Sequence, residues 1–156
     1  MRLTEEELVR WGRAIGREIP PPVFVALDGP LGAGKSVLAR AIGAGAGVDV
    51  PMPSPTFKLL LRYDLPSGVS VVHLDLYRIS NEEEIWELGW ADLGTGREIV
   101  LVEWPDHAGG YLPGDYWRVR LSVPRSPRNV RDVEVRRVGS PPPLPGFPMT
   151  LAGRAR

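Results

Sequence analysis

The sequence predicts an α/β fold of three layers, with a mixed sheet that is parallel at its centre and carries an antiparallel hairpin. Three observations carry this. Val23-Phe24-Val25-Ala26-Leu27 is a short apolar run that leads through a glycine-rich turn into a helical stretch, the strand, turn and helix of a parallel unit. Ile99 to Val102 is continuously apolar, as expected of a strand covered on both faces. Phe57 to Tyr63 and Val69 to Leu76 are strand-like runs separated by Asp64-Leu65-Pro66-Ser67-Gly68, a five-residue hairpin turn.

In chain order, Thr4-Glu5-Glu6-Glu7 fits a capping box, and Leu8, Trp11, Ile15 and Ile19 recur at helical spacing, so residues 4 to 18 read as an amphipathic helix. Pro20-Pro21-Pro22 stops it ahead of the first strand. The helix after the turn is expected from Lys35 to about Ile42, because Gly43-Ala44-Gly45-Ala46-Gly47 is too rich in glycine to hold a helix; residues 43 to 56 are expected to be irregular. Ser80 and Asn81 before three glutamates mark a short helix that Gly89 closes. Trp86 and Trp90, four apart, fit either a partner-binding patch or the core. Trp117 to Val123 and Val130 to Val138 alternate apolar with polar residues, as half-exposed strands do. One domain over residues 1–138 is expected, with a Pro-rich tail over 139–156 that is extended or disordered.

Composition excludes some functions. Lys plus Arg and Asp plus Glu both number 19, so no whole-protein field recruits nucleic acid or membrane, and strong tRNA binding by this chain alone is not expected. The absence of cysteine removes disulfides, thiolate metal sites and a cysteine nucleophile. No stretch approaches the roughly 20 apolar residues that span a bilayer, so a cytoplasmic location is expected.

The chemistry concentrates in Gly29-Pro30-Leu31-Gly32-Ala33-Gly34-Lys35-Ser36, which fits G-x-x-x-x-G-K-[ST] at every fixed position, with a strand before it and a helix after it. Glycines 29, 32 and 34 permit turns that leave backbone N–H groups facing phosphate oxygens, and the positive end of the following helix points at the same place. Lys35 adds a flexible charge for the outer phosphates, and the Ser36 hydroxyl suits a magnesium ion bridging them. The segment is that of a P-loop NTPase-like domain taking a nucleoside triphosphate. Such a loop needs an acid at the end of a neighbouring apolar strand, and two candidates fit: Asp75 after Val71-Val72-His73-Leu74, and Glu103 after Ile99-Val100-Leu101-Val102. Spacing does not choose between them. Strand alternation puts Val72, Leu74 and Leu76 on one face and His73, Asp75 and Tyr77 on the other.

Ser54-Pro55-Thr56-Phe57, His73-Leu74-Asp75-Leu76-Tyr77-Arg78, Glu84 to Gly89 and Val102-Glu103-Trp104-Pro105, following the phosphate loop in this order, resemble the bacterial TsaE family, formerly YjeE, over residues 3 to about 138. The resemblance implies a small P-loop ATPase, of low intrinsic and partner-dependent activity, that uses ATP and Mg2+. It would dock on a partner heterodimer of TsaD and TsaB type and reset it between rounds of placing threonylcarbamoyl on the adenosine beside the anticodon of certain tRNAs. Carried over by motif, Leu31, Gly32, Ala33, Gly34, Lys35 and Ser36 would hold the phosphates, and Ser36 and Glu103 the magnesium. Asp75, Glu103 and Lys35 would support hydrolysis, and Thr56 would respond to the outer phosphate. Trp104 matches a tryptophan important in the family, and Arg131, close to Arg128, falls at a nucleotide-contacting arginine. Pro30 stands where the family usually has an acid, and Ser36 where threonine is commoner. Two other classes share the loop: a small-molecule kinase, which should also carry an acceptor pocket and a lid of arginines, and a nucleotide-sensing adaptor without significant turnover.

Overall fold

The computed structural model of the chain describes residues 1–55 and 58–146. Seven strands form one sheet: β1 (Arg2–Thr4), β2 (Val23–Asp28), β3 (Leu60–Asp64), β4 (Ser70–Asp75), β5 (Glu98–Glu103), β6 (Tyr116–Ser122) and β7 (Val130–Val138). Their spatial order is β1-β7-β6-β2-β5-β4-β3. The centre, β6-β2-β5-β4, is parallel, while β7 against β6, β1 against β7 and β3 against β4 are antiparallel. The mixed sheet and its hairpin are those read from the sequence. β1 was not expected: it holds three residues and pairs Arg2 with Asp132.

Side-chain alternation sorts the sheet into two cores. Val25, Leu27, Val71, Ile99 and Leu101 pack under α1 (Glu5–Glu18) and α2 (Lys35–Ala46). Phe24, Ala26, Val72, Leu74, Val100 and Val102 pack on the opposite face with α3 (Glu82–Glu87) and the turns beside it. Because β2, β4 and β5 are covered on both sides, every residue in them is buried. Their carboxyl ends converge at one rim of the sheet, the place where open α/β sheets bind ligands.

α1 begins as the capping box requires: Thr4 Oγ1 accepts the Glu7 N–H and the Glu7 carboxylate accepts the Thr4 N–H. α2 corrects the sequence reading, since it runs through Gly43 and Gly45 to Ala46 and closes at Gly47, whose φ of 116° lets the Val48 N–H reach the Gly43 carbonyl at 2.9 Å. The reason is α1. A Cβ on Gly45 would stand 2.0 Å from the Arg13 carbonyl oxygen, and one on Gly16 would stand 1.9 Å from that of Ile42. The two helices touch backbone to backbone, and the burial gained there outweighs the roughly 1 kcal/mol per residue by which glycine weakens a helix.

The hairpin arrives later than expected. β3 starts at Leu60, because Leu59 has a φ of 64° and its N–H turns to the Pro55 carbonyl. Phe57 lies outside the described residues. Trp90 is core, buried 5.9 Å from the Phe24 ring with its indole N–H on the Tyr111 carbonyl. Trp86 is half exposed and donates to the Tyr111 hydroxyl. Residues 139–146 hold neither helix nor strand. They are tied back to the body by the Trp117 indole on the Pro142 carbonyl and the Trp11 indole on the Pro145 carbonyl, with Leu144 packed on the α1–α2 core.

Candidate functional site

β2 ends in Asp28, and the chain turns at Gly29 directly against β6: a Cβ there, at a φ of 140°, would stand 2.2 Å from the Leu121 carbonyl oxygen. The first helical bond of α2 runs from the Leu38 N–H to the Gly34 carbonyl, so the N–H groups of Gly34 to Val37 lie ahead of the ladder. No side chain caps that end, which leaves the positive pole of α2 facing the cleft. Ala33 turns inward, with its methyl buried and its N–H on the Pro30 carbonyl.

Leu31, Gly32, Gly34, Lys35, Ser36, Asp75, Glu103 and Trp104 line one cleft of about 350 Å³, together with Val37, Ser54, Tyr77 and Arg78. The last four were not singled out as site residues from sequence; Tyr77 and Arg78 close the string that begins at His73, which was the available signal. Lys35 Nζ donates to the Gly29 carbonyl at 2.6 Å and the Pro30 carbonyl at 2.9 Å. It also stands 4.1 Å from the centroid of the Trp104 ring, a cation–π contact. Burial holds the Lys35 ammonium below its ordinary range, although Glu103, Asp75 and Asp28 pull the other way. Trp104 itself sits at φ 57°, ψ 54°, a left-handed conformation that side chains adopt sparingly, and its ring meets that of Tyr77 at 4.8 Å.

Ser36 Oγ reaches both oxygens of Glu103, at 3.1 and 3.2 Å. This pairing distinguishes the two acids that spacing left equal: Glu103 is in contact with the loop serine, whereas Asp75 accepts the Tyr77 N–H at 2.9 Å on the same rim. Burial pushes the Asp75 carboxyl above the usual carboxylate range, and Glu103 adds to the push. A hydroxyl and a carboxylate oxygen side by side fit magnesium, which takes one or two protein oxygens and completes its shell from phosphates and water. The open helix end and glycine turns fit the phosphates.

One of the predicted residues, Arg131, stands outside this cleft. Arg131, on β7, reaches the loop from behind, donating to the Ala33 carbonyl at 2.9 Å and the Gly32 carbonyl at 3.4 Å. It lines a neighbouring cavity of about 300 Å³ with Glu5, Leu8, Gly34, Val37, Arg128 and Asn129. Thr56 lies outside the described residues.

Behind the loop, Asp28 accepts from Arg118 at 3.2 Å and Arg120 at 3.1 Å and from the Gly29 N–H at 2.9 Å. Burial alone would raise the Asp28 carboxyl, but the two guanidinium groups outweigh it and leave the group below its ordinary value of 3.8. A carboxyl with a lower pKa folded than unfolded contributes stability that is complete above the unfolded value and lost as pH falls through the folded one. The native chain should therefore resist urea better than Asp28→Asn at neutral pH, and the gap between their midpoints should narrow below about pH 4. A gap that stays constant down to acid would contradict the assignment.

A parallel-centred sheet with a glycine loop and a Lys-Ser helix start at its carboxyl rim defines a P-loop NTPase-fold protein. A crystal structure of Bacillus subtilis YdiB has the same fold, with a TM-score of 0.68 at 22% identity, covering 89% of this chain and 84% of that one. The family model described as "Threonylcarbamoyl adenosine biosynthesis protein TsaE" matches residues 3–131, and the chain belongs to the TsaE family. Proteins named tRNA threonylcarbamoyladenosine biosynthesis protein TsaE are similar to it. The one from Treponema pallidum is 30% identical over 108 residues, 69% of this chain and 78% of that one. The one from Rickettsia bellii is 35% identical over 121 residues, 77% of this chain and 83% of that one. The family takes part in tRNA threonylcarbamoyladenosine biosynthesis. No helix among the described residues is long and apolar enough to cross a membrane.

Proposed function

We propose that the chain is a cytoplasmic ATPase that binds ATP with magnesium and cycles on a partner heterodimer of TsaD and TsaB type, supporting tRNA threonylcarbamoyladenosine formation. tRNA is reached through that complex. The observation that carries this reading is the cleft in which Lys35, the Ser36–Glu103 pair, Asp75 and Trp104 meet at the open end of α2.

In this reading the N–H groups at the start of α2 bind the phosphates and Lys35 orients the outermost. Trp104 keeps the Lys35 ammonium in place through its ring face. Ser36 and Glu103 would hold the magnesium, which would supply charge neutralisation on the outer phosphates. Asp75, pushed up by burial, sits at the same rim to orient or relay a proton from the attacking water. Arg131 braces the loop carbonyls behind the nucleotide, and Thr56 responds to the outer phosphate.

The test compares ATP hydrolysis by the native chain and by Glu103→Gln, each with and without the purified heterodimer. Turnover is expected to be slow alone and to rise with the heterodimer. Glu103→Gln should lower it about tenfold or more while moving ATP affinity less. Hydrolysis that stays absent with the heterodimer present would turn the reading to a nucleotide-sensing adaptor. An effect of Glu103→Gln confined to thermal unfolding would make Glu103 structural.

A further inference from the structure

His73 is fully buried in the middle of β4, opposite Leu61 of β3 and Leu101 of β5. Nothing about packing calls for a polar ring between two leucines, where an aliphatic side chain would bury without leaving polar atoms unpaired. Its Nε2 faces Glu103 Oε2 at 2.5 Å, and its Nδ1 has no hydrogen-bond partner among the described residues. A ring with its proton on Nδ1 alone would set the Nε2 lone pair against a carboxylate oxygen, so the short contact requires Nε2–H to donate to Glu103.

We propose that His73 is a positioning residue: its Nε2–H grips Glu103 Oε2 and sets the plane in which that carboxylate meets the Ser36 hydroxyl. A glutamate at a strand end has three side-chain torsions to restrain. Ser36 holds it from the α2 side and His73 from beneath, within the sheet, so that Oε1, whose one protein donor is Ser36 among the described residues, keeps a lone pair for the cleft. His73 is closed to solvent and its hydrogen-bond partner among the described residues is Glu103, so it acts on the site through Glu103. This rests on the reading of Ser36 and Glu103 as the magnesium ligands.

The experiment uses the full chain, with His73→Leu and His73→Gln, and measures ATP affinity by calorimetry with magnesium and with EDTA. His73→Leu should cut the gain in affinity that magnesium confers about tenfold and leave the metal-free affinity unchanged. His73→Gln, whose amide can still donate toward Glu103, should recover at least half of that gain. A full gain in His73→Leu, or a His73→Gln no better than His73→Leu, would overturn the proposal. Ring-nitrogen NMR of the native chain needs no variant to fold: a protonated Nε2 whose signal is displaced in Glu103→Gln is expected, and a bare Nε2 overturns the proposal. Should the native chain show no magnesium-dependent gain, the magnesium reading falls, while the nitrogen spectrum still decides whether His73 holds Glu103.

Discussion

Lys35→Ala is expected to weaken binding of ATP with magnesium by about a hundredfold or more. The ammonium sits where the loop carbonyls of Gly29 and Pro30 and the Trp104 ring converge, 2.6, 2.9 and 4.1 Å away, so its position is set by three contacts before any phosphate is considered. A hydrogen bond to a charged partner contributes about 1.5–3 kcal/mol, and the outer phosphates offer several oxygens to this one donor. About 3 kcal/mol is roughly two powers of ten in affinity. The substitution also leaves Asp75 on the rim without the nearby positive charge that favours its ionised form. Calorimetric titration checks it; an unchanged dissociation constant would remove Lys35 from the binding machinery. Lys35→Arg should not rescue fully, because the wider planar guanidinium does not reproduce the compact ammonium held between the Gly29 and Pro30 carbonyls.

Gly45→Val is expected to lower the melting temperature by about 10 °C. The added side chain would begin 2.0 Å from the Arg13 carbonyl oxygen and 2.7 Å from its carbon, atoms of a helix backbone that has no rotamer to yield. The helices must separate, and overpacking of this kind costs about 3 kcal/mol, at 2–4 °C per kcal/mol for a chain of roughly this size. Gly96→Ala is the matched control: a Cβ there meets nothing within 4 Å, and its melting temperature should stay within about 1 °C of the native value. Equal melting curves for Gly45→Val and Gly96→Ala would show that α1 and α2 do not approach as closely as described.

What the chain discloses by itself is mostly local. The capping box at Thr4 and Glu7, the hairpin turn and the phosphate loop all depend on neighbours a few positions away, and each stands in the structure at or beside the place the residues gave it. Alternation also placed His73 and Asp75 on one face of β4, which is why both reach the side of the sheet where Glu103 lies. The misreadings share the opposite property. Gly45 stays helical because α1, some 30 positions earlier, lies against it, and β1 exists because Arg2 finds Asp132 across 130 positions. Which of Asp75 and Glu103 the Ser36 hydroxyl meets was likewise not legible in the spacing of the residues. The left-handed backbone at Trp104 carries no glycine to announce it. Local rules see propensity and pattern; contacts between distant segments decide the remainder.

The sheet's two outermost strands are its shortest, three residues at β1 and five at β3. Arg2 on the one and Arg62 on the other are salt-bridged, to Asp132 and Glu98. A brief, charged margin gives a foreign strand little unpaired amide to zip onto, so a molecule whose interior is dense with valine, leucine and isoleucine is guarded against edge-to-edge aggregation.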